Sequence, residues 1–135
     1  MRSALSAIAL VLASAIAHAE SPGALEARVS NVRSRISFYA STRTYRPVFD
    51  LHGWDDVADD LSVLSRQGRW DEMEHRISDE MVEAIAVIGT YDDIGRNVVE
   101  RYRGICDRVE FSIPVQGPAD AERLAAIVAD IQNTD

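Results

Sequence analysis

Two places in the sequence have residue types that are suited to chemistry. His52 carries an imidazole, which suits proton transfer near neutral pH, and it lies between an apolar turn and Trp54, so it could project into a substrate pocket. Tyr45 and Arg46 lie in a turn after a predicted helix, where a guanidinium could bind a phosphate or another anion such as a cofactor tail. We take His52 as the candidate catalytic residue, and Tyr45 and Arg46 as the candidate cofactor-binding residues. The alternative stays open that His52 only packs or donates a hydrogen bond to a carbonyl.

Charge is unevenly distributed around these residues. The stretch 28–46 contains five arginines and no acid, a charge of +5, whereas residues 50–83 contain eleven acids and three arginines, a charge of −8. The arginines could meet a bound anion. Because runs of surface charge are common, we favour a basic helix that packs beside the acidic ones or faces water.

Other arrangements with catalytic or metal-binding spacing lack support. Asp71, His75 and Asp79 recur at four-residue steps on one predicted helix face, but such groups on an exposed face are usually solvated, so we predict no metal site. No serine lies in a GxSxG elbow, and the sequence has no glycine-rich nucleotide loop. Cys106 has no histidine nearby in sequence, so nucleophilic catalysis is not predicted.

Length and composition limit the class of protein. The chain has 135 residues, enough for one domain, and its 47% hydrophobic and 27% charged residues exclude wholesale disorder and a low-complexity fibre. The net charge of −8 disfavours attraction of the whole chain to nucleic acid or anionic lipid. The single cysteine excludes an intramolecular disulfide and a cysteine-based zinc module.

Residues 1–19 resemble a secretory signal. Arg2 precedes an apolar run over residues 4–17, and Ala17-His18-Ala19 forms an A-x-A cleavage site. This pattern predicts a mature chain, 20–135, that is periplasmic or secreted. The run is too short to span a bilayer, which needs about 20 residues, so we expect no transmembrane segment. An alanine-rich helix and a misassigned start codon stay open as alternatives.

Apolar residues at three- and four-residue steps predict a mostly helical chain. The predicted helices lie at about 24–41, 54–67, 70–88 (long or broken), 91–103 and 118–131. The second is capped by Gly68, the fourth follows a capping box at Thr90, and the last has Pro118 near its first turn. The core is expected to contain Trp54, Trp70, Met73 and Met81.

Two further local features are predicted. Arg46 is expected to be extended or to interrupt helical structure, because a residue before proline avoids the α region. Apolar and polar residues alternate from Arg108 to Ile113, which predicts one convincing strand at about 106–113. A lone strand needs neighbouring strands, so its partners would lie outside this chain, and the sequence suggests part of an α/β fold.

Several strings occur together in an order and spacing that resemble one family. They are ISFYAST at 36–42, YRPV at 45–48, HGW at 52–54, GRWDEM at 68–73, DEM at 79–81, GTYDDI at 89–94 and DRV at 107–109. The set resembles the C-terminal part of luciferase-like monooxygenase superfamily proteins, in the deazaflavin (F-420)-dependent oxidoreductase branch. The resemblance covers residues 28–114, and the signal-like segment stands where relatives have barrel sequence.

The resemblance implies a TIM-barrel α/β parent, of which this chain is a C-terminal fragment. The family's chemistry is hydride transfer between coenzyme F-420, or a flavin, and a small organic substrate. Because the cofactor pocket of such a barrel is built from many strand ends, we expect this chain to be inactive alone. A homo-oligomer or a complementing chain would supply the missing strands, and a cytoplasmic location is implied.

Two alternatives remain at this point. A small exported, mostly helical binding protein would use the arginine-rich helix as its contact surface. A decayed or truncated gene would have no function of its own. The sequence does not separate the second alternative from an inactive barrel fragment.

Overall fold

The computed structural model describes residues 22–105, 108–109 and 115–134. They fall into two compact units. The central unit is Ser30–Ala84, and the terminal unit is formed by the chain before Ser30 and from Ile85 onward. The helices are α1 (Pro22–Ala40), α2 (Arg46–Leu51), α3 (Asp55–Arg66), α4 (Trp70–Met73), α5 (Asp79–Ile85), α6 (Ile94–Tyr102) and α7 (Pro118–Asn133), with 3₁₀ turns at Arg43–Tyr45 and Glu74–Arg76.

In the central unit, α1 and α3 match their predicted positions. Their buried apolar residues recur at helical spacing and are Val32, Ile36, Ala40, Ala58, Leu61 and Leu64. Asp55 and Asp56 lie in the first turn of α3, where the helix dipole favours negative charge. Gly68 has a φ of +71°, and its N–H donates to the carbonyl of Ser65 at 3.1 Å, so the predicted glycine cap is confirmed.

The third predicted helix is broken. The chain leaves α4 through the 3₁₀ turn Glu74–Arg76, and Ile77 is extended, with φ −93° and ψ 112°. The Ser78 hydroxyl accepts a hydrogen bond from the Met81 N–H at 3.2 Å, which satisfies a donor at the start of α5. The predicted long helix is thus interrupted where a serine caps a new helix.

The four predicted core residues have different environments. Met73 and Met81 are buried and Trp54 is half-buried, but Trp70 is 52% exposed. The core prediction for Trp70 is therefore wrong. Trp70 begins α4, and its ring lies against Phe38, also 52% exposed, at a centroid distance of 6.4 Å.

In the terminal unit, α6 packs against α7 around an apolar cluster. The buried members of this cluster are Val87, Ile94, Val98, Tyr102 and Ile127. Gly95 lies at this contact, and a Cβ there would be in ordinary van der Waals contact with the Ile127 carbonyl oxygen, at 3.6 Å. The start of α6 differs from its prediction: residues 91–93 form a turn, in which the Thr90 hydroxyl donates to the Asp93 carboxylate at 2.9 Å.

The chain is mostly helical, as expected, but the prediction of one convincing strand at about 106–113 is wrong. The described residues are mostly helical and contain no strand. Arg108 and Val109 have no regular secondary structure, and residues 106–107 and 110–113 lie outside the described residues. Alternating apolar and polar residues form a strand only where neighbouring backbone pairs with them, and among the described residues Ile88 carries a single isolated β-bridge. Val109 instead packs, partly buried, against the α6–α7 cluster.

None of the helices that the structure describes has the length and apolar character needed to cross a membrane.

Candidate functional site

The three candidate residues lie on one short segment of the central unit. α1 ends at Ala40, and Thr42 is extended, with φ −97° and ψ 147°, so the chain turns there into the 3₁₀ turn and then α2. Tyr45 immediately precedes α2, and His52 immediately follows it. At a rise of 1.5 Å per residue, the helix separates these two residues by about 10 Å. The structure thus places them at opposite ends of one helix.

Arg46 is helical, with φ −49° and ψ −46°, although it precedes Pro47. Its backbone N–H donates to the carbonyl of Arg43, and Pro47 lies in the first turn, where its missing N–H is not needed. The expectation of an extended residue or a break at Arg46 is therefore wrong. The break lies at Thr42.

The Arg46 guanidinium is paired with two carboxylates. Its Nε donates to Asp50 Oδ1 at 2.6 Å, its Nη2 donates to Asp59 Oδ2 at 3.3 Å, and its Nη1 also bonds to Asp59. The hydrogen bonds to Asp59 and then to Asp50 raise the pKa of Arg46 above its usual range, and the bond from Arg46 lowers the pKa of Asp59. An anion that approached Arg46 would compete with both carboxylates. The pair instead joins the start of α2 to α3.

The His52 imidazole stacks on the Trp54 indole. The ring centroids are 4.4 Å apart and the planes differ by 11°, and Trp54 also meets Phe49 edge to face at 5.9 Å. His52 is exposed, and within the described chain its ring nitrogens have no hydrogen-bond or ion-pair partner. The stack holds the imidazole against the Trp54 ring.

Tyr45 lies beside a second aromatic ring. Its centroid is 4.9 Å from that of Tyr39, with the planes inclined at 54°, and the side chain is half-buried. The contact fixes the Tyr45 ring against the end of α1. Tyr45 and Arg46 are thus adjacent, but their side chains have different environments.

Contacts inside the central unit explain part of the uneven charge distribution. Arg33 donates from Nη1 to the Ile77 carbonyl at 2.6 Å and from Nη2 to Asp79. Together with the pairing of Arg46, this contact confirms that the basic stretch packs beside acidic segments. The other arginines of the stretch have no ion pair among the described residues, and they are Arg28, Arg35 and Arg43.

The predicted absence of a metal site concerns Asp71, His75 and Asp79. In the part of the chain that the structure describes, no three His, Cys, Asp or Glu side chains are grouped to hold a metal ion. Asp79 is bound by Arg33, and the other two residues are exposed.

The sequence interpretation missed the two carboxylates that bind Arg46. Asp50 follows Arg46 by four residues in a helix, a spacing at which opposite charges meet, so this contact had a local signal. Asp59 comes from a different helix, thirteen residues along the chain, and no local pattern marks it. Both residues belong to the geometry of the candidate site.

Comparison with known proteins identifies a family that the sequence matches. Residues 2–108 match the family model described as luciferase-like monooxygenase. The chain belongs to the luciferase-like monooxygenase family. The match includes the whole central unit and nearly all of the signal-like segment, and the signal itself stays a prediction.

Curated relatives are much longer than this chain. An uncharacterized protein of Mycobacterium tuberculosis (strain H37Rv) is 38% identical over 108 residues, which is 80% of this chain and 31% of the relative. Uncharacterized proteins of M. tuberculosis (strain CDC 1551) and of Mycobacterium bovis show the same identity and coverage. The chain therefore spans about a third of the length of these relatives. No solved structure matches it.

Proposed function

We propose that this chain is one part of a luciferase-like oxidoreductase, in which hydride passes between coenzyme F-420 and a small organic substrate. The observation that carries the proposal is the family match over residues 2–108. Members of this family commonly use flavin-type cofactors. The assignment to the F-420 branch rests on the ordered strings between residues 36 and 109.

The described segment supplies only part of a cofactor site. The exposed His52 ring can lie against a planar ring system, but the charge of Arg46 is already matched by Asp50 and Asp59. The residues of this segment therefore do not hold a phosphorylated cofactor by themselves. This supports the proposal that the chain alone is inactive.

Within the complete site, we assign different roles to the three candidates. His52 is the proposed proton donor or acceptor, because its imidazole is exposed and oriented by Trp54. Tyr45 is the proposed ligand contact at the other end of α2. Arg46 contributes by fixing α2 through Asp59, and its remaining N–H donors can face a ligand. The rest of the barrel would come from further sequence or from a complementing chain.

Cofactor titration tests this function. Coenzyme F-420 and FMN are titrated separately into the full chain and into the M. tuberculosis (strain H37Rv) relative, and cofactor fluorescence is recorded. We expect saturable quenching of F-420 by the relative and none by this chain. Saturable binding by this chain would overturn the inactivity proposal. Binding of FMN but not F-420 by the relative would overturn the branch assignment and leave the family unchanged.

The alternative of an exported binding protein gains no support from the structure. The family match begins at residue 2, inside the segment that resembles a signal. The predicted cleavage after Ala19 is tested by the mass of the chain recovered from the expressing cells. A chain that begins at Glu20 would confirm the signal, and a chain that retains Arg2 would contradict it.

A further inference from the structure

The turn that follows α2 is closed by three backbone hydrogen bonds. The Phe49 carbonyl accepts the N–H of His52 at 3.1 Å and that of Trp54 at 2.9 Å. The Asp50 carbonyl accepts the N–H of Gly53 at 3.1 Å, and Gly53 has a φ of +73°. These bonds and the left-handed glycine form a Schellman motif, which commonly ends a helix. The backbone of the turn is therefore fixed by contacts inside the central unit.

Three aromatic rings lie one against the next at this turn, and they are here called the ring column. Phe49 is 3% exposed and anchors the column in the core of the central unit. Trp54 meets Phe49 edge to face, an apolar contact of the kind that accompanies a Schellman motif, and it stacks on His52 with the planes 11° apart. His52 is exposed at the outer end. The indole thus covers one face of the imidazole and leaves its edge, with the two nitrogens, uncovered.

We propose that Trp54 and Gly53 are positioning residues that fix the direction in which His52 exchanges a proton. This inference rests on the proposed role of His52. An imidazole nitrogen gives or takes a proton along its lone pair, in the plane of the ring. Because the indole holds that plane parallel to its own, the N–H bond breaks or forms at the edge of the ring column, as the bond from hydrogen to the substrate atom forms or breaks. The reacting substrate atom therefore lies beside the column and not over the open face of the imidazole.

The two positioning residues have different parts. Trp54 supplies the ring on which the imidazole lies, and aromatic stacking restricts the geometry of the pair. Gly53 lets the chain reverse between these rings, since a φ of +73° is strained for most residues with a side chain, although a Cβ there would meet nothing within 4 Å. Contacts within this chain alone form the column, so little side-chain freedom is lost when the proton moves.

Proton NMR of the full chain, labelled with carbon-13 in histidine, tests the stack. Ring protons that lie over an indole are shifted upfield by its ring current, and His52→Asn assigns the signals. We expect upfield-shifted His52 ring protons in wild type, a smaller shift in Trp54→Phe, and loss of the shift in Trp54→Leu. Leucine keeps an apolar side chain beside Phe49, and urea unfolding of the same variants tests whether the fold persists when the position of the imidazole is lost.

A second glycine provides a matched control. Gly68 has a φ of +71° in a turn of the same kind after α3, but the residue before it, Gln67, carries no ring. Gly53→Ala and Gly68→Ala should lower the urea midpoint by similar amounts, because both strain the backbone. Only Gly53→Ala should reduce the upfield shift of the His52 ring protons.

Acylation by diethyl pyrocarbonate tests whether the edge of the imidazole is reachable, because a nitrogen attacks this reagent along the same lone pair that carries the proton. Mass spectrometry gives the rate of modification at each histidine of the full chain. We expect His52 to react at a rate comparable with that of His75, which is exposed and lies outside the ring column.

Three results would overturn the proposal. One is a set of His52 ring signals that are the same in wild type and Trp54→Leu. Another is an upfield shift that Gly53→Ala and Gly68→Ala change to the same extent. The third is a His52 that the reagent does not modify while His75 reacts. None of these measurements uses a cofactor, so they decide the positioning of His52 separately from the titration with coenzyme F-420.

Discussion

The two units of this chain use different contacts to fix their helices. In the central unit, arginine–carboxylate pairs join separate elements, and these pairs are Arg33–Asp79, Arg46–Asp59 and Arg76–Asp60. In the terminal unit, the pairs Arg96–Asp93 and Arg123–Asp120 are local, three residues apart, whereas α6 and α7 pack through an apolar cluster. Side-chain bonds to backbone carbonyls run from Asn97 to Ile88 at 2.9 Å and from Arg101 to Ala86 at 2.8 Å.

The two kinds of contact have different roles: the ion pairs position side chains, and the apolar contacts stabilise the fold. Exposed ion pairs contribute little free energy of unfolding because water and salt screen them, but a guanidinium bound to two carboxylates defines one geometry. The pairs of Arg46 with Asp50 and Asp59 therefore orient the segment that contains Tyr45, Arg46 and His52. Burial of apolar side chains stabilises both units.

The largest expected effect comes from the central core. Leu61 is completely buried, so Leu61→Ala should lower the free energy of unfolding by about 2–5 kcal/mol through lost burial and a cavity. Urea unfolding followed by circular dichroism measures this change. The control is Leu51→Ala, because Leu51 is 76% exposed and its loss should have little effect. Equal effects of the two substitutions would contradict the described core.

A smaller effect is expected from a close approach in the terminal unit. A Cβ added to Gly89 would lie 3.0 Å from the Asn97 amide nitrogen and 3.2 Å from the backbone of Ile94. Gly89→Ala should therefore cost about 1–3 kcal/mol of unfolding free energy, as overpacking does. Gly117→Ala is the matched control, since a Cβ there meets nothing within 4 Å. An unchanged urea midpoint for Gly89→Ala would show that the approach is looser than described.

The smallest effect concerns the ion pair of Arg46, and it depends on pH. The folded-state pKa of Asp59 lies below its ordinary 3.8, because Arg46 donates hydrogen bonds to the carboxylate. A lowered folded pKa adds stability above pH 3.8, and that stability is lost as the pH falls from 3.8 through the folded value. Asp59→Asn should thus be slightly less stable than wild type at pH 7, and the difference should shrink in acid and in high salt.

Asp71→Asn is the matched control for this prediction, because Asp71 is exposed and has no ion pair in the described chain. Urea midpoints are compared at pH 7 and pH 3, with and without added salt. A difference between Asp59→Asn and wild type that persists unchanged at pH 3 would contradict the role of the charge.

Local signals in the sequence predicted much of the helical structure. The periodic stripe of α1, the cap at Gly68 and the proline at the start of α7 each act within a few residues, and all three are present. α6 starts later than predicted, after a turn at residues 91–93 in which the Thr90 hydroxyl binds the Asp93 carboxylate. A hydroxyl has several partners within reach, and residue types alone do not choose between them.

The candidate site was predicted only in part, because contacts between residues far apart in the sequence leave no local signal. The helical conformation of Arg46 accompanies a bond to Asp59 on another helix, which a rule about the residue before proline does not include. The spacing of Trp70 likewise predicted burial, whereas its ring is 52% exposed and lies against Phe38. Alternation at 108–113 predicted a strand, but Arg108 and Val109, which the structure describes, have no regular secondary structure.

The most direct test of the proposed function is a chimera. The region of the M. tuberculosis (strain H37Rv) relative that matches this chain is replaced by the corresponding residues of this chain, and the chimera is titrated with coenzyme F-420. We predict saturable fluorescence quenching by the chimera and by the relative, but not by this chain alone. A folded chimera that fails to bind, beside a relative that binds, would contradict the claim that this chain is a working part of such an oxidoreductase.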